Sequence, residues 1–205
     1  MSRRKPSASA HAAVVSGDSL RSGESPAPER GERGSMAIDP SGAHATLTFR
    51  RTYAHPPARV WDAIATPDGL AGWLFAKHVT LEARVGGAIA MTSGPTGYRS
   101  TGRVLAWDPP HAFAYEWNVA PVAEMPDGER ASFHYTLAAR ADGGTNLMVV
   151  VRRISTPTAR GFLPGVHAFL DRLAAQLADP GMPLPDWFER FAAARAAYPE
   201  WSHSA

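Results

Sequence analysis

The chain has 205 residues, with 21 Lys and Arg against 19 Asp and Glu, and no cysteine. That length suits one good core rather than two domains, and the lack of thiols excludes disulfides, a thiolate nucleophile and sulfur-ligated zinc. Six basic and four acidic residues fall within 1–35, so the net charge of +2 comes from the leading segment; the balanced remainder lacks the basic stripe of a nucleic-acid binder.

Residues 1–43 are rich in Ser, Gly, Pro, Ala and Arg and hold no aromatic residue. Such a stretch cannot recover its ordering entropy by burial and is expected to be disordered. Arg3, Arg4 and Lys5 have no apolar run behind them, unlike a secretory signal. No apolar run approaches the roughly 20 residues of a membrane span, so a cytoplasmic protein without a membrane partner is expected. Met36 stands just before the patterned region as an alternative start.

From Ala45 the pattern changes. Leu47, Phe49, Arg51 and Tyr53 alternate with Thr46, Thr48, Arg50 and Thr52, the period of a strand. Pro56–Pro57 open a short helix through Ile64, and Thr66 caps another that turns Leu70, Trp73, Leu74 and Phe75 inward. Strands are expected at about 78–85, 88–93, 97–107, 111–118, 131–141 and 145–153. The turns between them are marked by Gly86–Gly87, Gly94–Pro95, Pro109–Pro110, Pro126–Asp127–Gly128 and Asp142–Gly143–Gly144. Connections this short join antiparallel neighbours.

A helix near 158–178 carries Phe162, Val166, Phe169, Leu170, Leu173 and Leu177 on one stripe, and Asp179–Pro180–Gly181 ends it. A further amphipathic helix over 184–198 presents Trp187, Phe188, Phe191 and Tyr198. The expected fold is α+β: a curved seven-stranded antiparallel sheet curling around the long helix over 44–178, with 179–205 as a helical extension. A sheet curled over one helix leaves internal volume, and such volume is a usual ligand site.

These residues carry a resemblance. The run from Phe49 to Ala63 resembles the opening of the SRPBCC, or START-like (Bet v I-like), domains, and most closely the Hsp-90 ATPase-activator-like branch. Pro67-Asp68-Gly69-Leu70, Trp73-Leu74-Phe75-Ala76, Arg84-Val85-Gly86-Gly87, Gly102-Arg103-Val104, Asp108-Pro109-Pro110 and Gly143-Gly144-Thr145 follow in the family's order. His167 and Leu170 to Ala174 resemble its final helix. The resemblance implies a helix-grip fold with a hydrophobic pocket and a wide range of roles, from ligand binding and stress response to cyclase chemistry and chaperone activation. Many relatives have Trp where this chain has Val166, which implies a reshaped pocket.

The expected cavity wall draws Trp61, Trp73 and Phe75 from the short helices. It takes Tyr98, Phe113, Tyr115, Trp117, Phe133, Tyr135 and Val149 from strands, and Phe162, Val166, His167 and Phe169 from the long helix. The ligand expected there is a small apolar or aromatic molecule; no cofactor or metal is expected, since the eight histidines are scattered and no GxSxG or phosphate loop is present. A cavity under roughly 100 Å³, together with protein that is always recovered empty, would count against this reading. Were the domain instead a cyclase- or hydrolase-like enzyme, His167, Tyr115 and Tyr135 would be its proton-transfer groups. His134 and Glu116 fall on the opposite strand face. A third alternative is a protein–protein adaptor or chaperone ATPase activator-like protein, with a protein partner or self-association through the aromatic face of the 184–198 helix.

Overall fold

The structure, a computed structural model, describes residues 32–201; most of the segment expected to be disordered lies outside them. The elements run β1 (Ser35–Ile38), β2 (His44–Tyr53), α1 (Pro57–Ile64), α2 (Pro67–Trp73), β3 (Ala76–Leu81), β4 (Ala88–Ser93), β5 (Arg99–Asp108), β6 (Ala112–Val119), β7 (Glu129–Ala139), β8 (Thr145–Ser155), α3 (Thr156–Ala178) and α4 (Trp187–Ala196), with a short helical turn at Pro199–Trp201. The sheet order is β1-β2-β8-β7-β6-β5-β4-β3, and every neighbouring pair is antiparallel.

This corrects the expected fold in two respects. The sheet has eight strands, because Ser35–Ile38, inside the stretch expected to be unstructured, pairs with β2 and sets Met36 opposite Leu47. It is also open and not strongly curled, with β1 and β3 as unpaired edges. Curling was inferred from a single helix having to bury the apolar face. In the structure α1 and α2 pack against α3, so three helices share that burial and the sheet need not wrap round one.

Alternation along the strands sets what faces the helices. In β7, Ala131, Phe133, Tyr135 and Leu137 are buried while Arg130, Thr136 and Ala138 are exposed. Alternation fails at Arg152 and Arg153, which are both exposed. Here the β2–β8 register slips between Ala45 and Leu47, and Arg153 takes a left-handed backbone at φ 58°, so the bulge turns both side chains outward.

Helix α2 is capped as its sequence implies, with Thr66 Oγ1 accepting from Gly69 N at 3.1 Å. Helix α3 begins at Thr156, two residues before the expected start. The Glu129 carboxylate holds its entry, accepting from Ser155 Oγ at 2.7 Å and from Ser155 N at 3.2 Å. Helix α4 is capped by Asp186, whose Oδ1 accepts from Glu189 N at 3.0 Å. It lies against α3, with Trp187 and Phe169 ring centroids 5.4 Å apart.

Candidate functional site

The apolar side of the sheet meets α3 across a cavity of about 70 Å³. Its buried floor is built by Met91 and Ser100 on β4 and β5, Tyr115 and Trp117 on β6, Phe133 and Tyr135 on β7, Val149 on β8, and Val166 and Leu170 on α3, with Trp73 beside them. Leu74, Ala76, Ser93, Tyr98, Phe162 and Phe169 also line it but stay partly exposed, and so mark the mouth.

Register explains the floor. Tyr135 stands opposite Val149, and Tyr115 opposite Phe133, so two inward pairs from three adjacent strands form one wall. Tyr115 and Phe133 stack with centroids 5.6 Å apart, and Trp117 meets Phe162 of α3 at 4.8 Å. Trp73 is fixed by its Nε1 donating to Ala63 O at 3.0 Å, which ties α2 to α1. Aromatic contacts of this kind hold rings in defined orientations.

The Tyr115 and Tyr135 rings lie 6.2 Å apart and nearly parallel, at 18°. Burial is the main cause that pushes Tyr115 up to about 12, and it holds Tyr135 still further above the ordinary phenol range. Burial also raises Tyr98. All three are neutral donors at physiological pH. The lining contains no Asp, Glu, Lys, Arg or His. Among the described residues, no three His, Asp or Glu lie close enough to hold a metal ion, and no helix is long and apolar enough to cross a membrane.

Ten of the fourteen expected wall residues therefore meet in one place: Trp73, Tyr98, Tyr115, Trp117, Phe133, Tyr135, Val149, Phe162, Val166 and Phe169. The other four do not line the cavity. Trp61 and Phe113 are buried in an adjoining aromatic layer with Trp107, the Trp61–Trp107 centroids 5.2 Å apart. Phe75 is 42% exposed, because its left-handed backbone (φ 53°) swings the side chain outward between α2 and β3. The Arg172 guanidinium lies 5.5 Å from its ring centre. His167 is on the other flank of α3, where Nδ1 meets the Tyr198 hydroxyl at 2.7 Å and Nε2 lies 3.7 Å from Asp171 Oδ1.

Sequence reasoning missed Leu74, Ala76 and Leu170 beside expected neighbours, and the whole β4 and β5 contribution, Met91, Ser93 and Ser100. Alternation alone would have placed Met91 and Ser93 on one face of β4, but with no bulky aromatic to draw attention to it. His134 and Glu116 sit off the cavity, as their strand parity implied: His134 Nε2 is 2.9 Å from Ser132 Oγ, and Glu116 Oε2 accepts from Arg103 N at 3.1 Å. Of the α4-region aromatics, Tyr198 is buried, Trp187 and Phe191 stack half-buried at 4.9 Å against α3, and Phe188 remains 58% exposed.

The family profile described as Activator of Hsp90 ATPase homolog 1-like protein matches residues 54–178, about 60% of the chain. The chain belongs to that family. Solved structures similar to this family member include MLL2253 from Mesorhizobium loti, 25% identical with a TM-score of 0.57, the match covering 67% of this chain and 99% of that one. CV1439 from Chromobacterium violaceum is 29% identical with a TM-score of 0.55, over 65% of this chain and 97% of that one. CalU16 from Micromonospora echinospora, 20% identical, shares the fold at a TM-score of 0.59 over 83% and 96% of the respective chains. No curated protein matches the chain.

Proposed function

We propose that this chain binds a small apolar or aromatic molecule in the cavity between the sheet and α3, and that it does so without transforming it. The observation that carries this reading is the uncharged, aromatic-walled cavity with two adjoining phenols on its floor. An apolar guest there exchanges water contact for ring contact, worth about 25 cal/mol per Å² of surface removed from water. At about 70 Å³ the cavity meets the size half of the condition set against binding, leaving recovery of ligand to decide it, and it is smaller than the roughly 150 Å³ of a known benzene-sized void. A single-ring guest therefore needs the mouth residues Phe162 and Phe169 to yield, and both keep the partial exposure that permits this.

Binding without chemistry fits the same groups. The phenols of Tyr115 and Tyr135 are held protonated by burial, so neither is a base near neutral pH. His167, the third group that could move a proton, is engaged with Tyr198 away from the cavity.

Native mass spectrometry of the full chain after exposure to cell extract tests the reading, with a Val166→Trp variant as the blocked control. A retained compound on the wild type and none on the variant is the expected result. Empty protein from every extract, or equal retention by both forms, would overturn it.

A further inference from the structure

We propose that Arg51 and Tyr53 form a second binding site, one that takes a small carboxylate. Neither residue lines the aromatic cavity, so this inference stands apart from the binding reading above.

Period two sets Arg51 and Tyr53 on the same face of β2, roughly 7 Å apart along the strand. Both are buried, each with 6% exposure. Nη1 of Arg51 donates to Glu32 O at 2.6 Å and to Arg50 O at 2.9 Å. Its Nε and Nη2 have no partner, and neither has the Tyr53 hydroxyl. Those two nitrogens are the pair whose N–H bonds run side by side, the fork that grips a carboxylate through two parallel hydrogen bonds.

The surrounding charges do not answer the fork. Asp171 on α3 lies 3.7 Å from His167 Nε2, and among the described residues no carboxylate forms an ion pair with Arg51. Burial raises Tyr53 above the ordinary phenol range, Arg51 pulls it back and Asp171 adds to the rise, so all three share one electrostatic neighbourhood. A water molecule answers a single N–H and leaves a buried positive charge uncompensated, which is costly. A carboxylate brings the opposite charge, two oxygens for the fork and lone pairs to spare for the Tyr53 hydroxyl.

Size follows from burial. The three unpartnered atoms are closed off from solvent. Glu32 O sits on the guanidinium itself, and Gly34 and Arg33 tie this entry segment to Tyr198 and Glu200. The ligand is therefore small, and it enters when these two ends of the described chain part.

The test follows the Arg51 Nε–H resonance of the full chain near neutral pH, assigned through its own backbone, during titration with sodium formate and sodium acetate. Sodium chloride at matched ionic strength is the control. A saturable downfield proton shift with either carboxylate, and none with chloride, is the expected result. Tyr53→Phe should weaken that binding about tenfold, the effect of losing one hydrogen bond to a charged group. Arg51→Gln should abolish the thermal stabilisation that the carboxylate gives to the wild type.

No shift with either carboxylate, the same shift with chloride, or affinity unchanged in Tyr53→Phe would each overturn the proposal. So would an Nε–H signal that moves in Asp171→Asn and ignores both carboxylates, since the fork would then be served from within the chain. If Arg51→Gln fails to fold, the wild-type titration decides the matter alone.

Discussion

Nδ1 of His167 in the middle of α3 lies 2.7 Å from the Tyr198 hydroxyl, thirty-one positions later in the chain. The same hydroxyl accepts from Gly34 N at 2.7 Å, so one phenol ties α3 to both the entry and the exit of the described chain. Arg33 adds an ion pair to Glu200 and lies 5.1 Å from the Tyr198 ring centre. Tyr198→Phe keeps the ring and removes both hydrogen bonds, leaving His167 and Gly34 without that partner. A loss of about 1–3 kcal/mol is expected in urea denaturation, with the chain after α3 becoming more open to proteolysis.

The burial of His167 makes stability depend on pH. Burial, aided by the nearby positive charges of Arg51 and Arg33 and opposed by Asp171, holds His167 below its ordinary value of 6.5. A histidine with a depressed folded pKa contributes nothing above its unfolded value. As pH falls through about 6.5 the unfolded chain takes up the proton first, so stability drops until the folded pKa is passed. Unfolding free energy should therefore fall between about pH 7 and pH 5, and His167→Gln should flatten that slope. Burial lowers His134 as well, so His134→Gln is the matched control and should remove a smaller share.

Arg172 is expected to matter for its carbonyl contacts. Its Nε donates to Trp73 O at 3.0 Å, one terminal nitrogen to Gly72 O at 3.2 Å and the other to Pro185 O. One buried side chain thus fastens α3 to the end of α2 and to the approach of α4. Arg172→Met retains the aliphatic stem and leaves the carbonyls unanswered; a loss of about 2–4 kcal/mol is expected in thermal or urea unfolding. Arg172→Lys should recover little of it, since an ammonium group lacks the planar fork.

Gly102 on β5 allows close approach to β6, for a Cβ there would overlap the carbonyl oxygen of Glu116, the residue next to Tyr115. Gly102→Ala must push the strands apart beside the cavity floor. A destabilisation of about 2 kcal/mol is expected in urea denaturation.

Val166 forms part of the floor on α3, and a bulkier side chain there competes directly with the guest. Val166→Trp should abolish retention of a compound from cell extract with at most about 1–3 kcal/mol of overpacking cost. Retained binding at wild-type strength would show that the guest lies elsewhere.

Strand and helix identities were legible in the sequence because each is a local pattern: period two from Leu47 to Tyr53, a helical stripe from Phe162 to Leu177, and Gly or Pro at the turns. The family was legible for the same reason, in motifs that are mostly structural. Parity was enough to bring Tyr115, Tyr135 and Val149 to one face. Four residues at Ser35–Ile38 carry no readable period, and only pairing with β2 makes them a strand. The openness of the sheet depends on how α1, α2 and α3 share its face. Phe75 points outward because its backbone is left-handed, and His167 leaves the cavity because its partner Tyr198 comes from beyond α4. Periodicity sets which face a residue occupies, because that follows from local backbone geometry. Which groups meet across the chain, and how much space they leave between them, is set by packing alone.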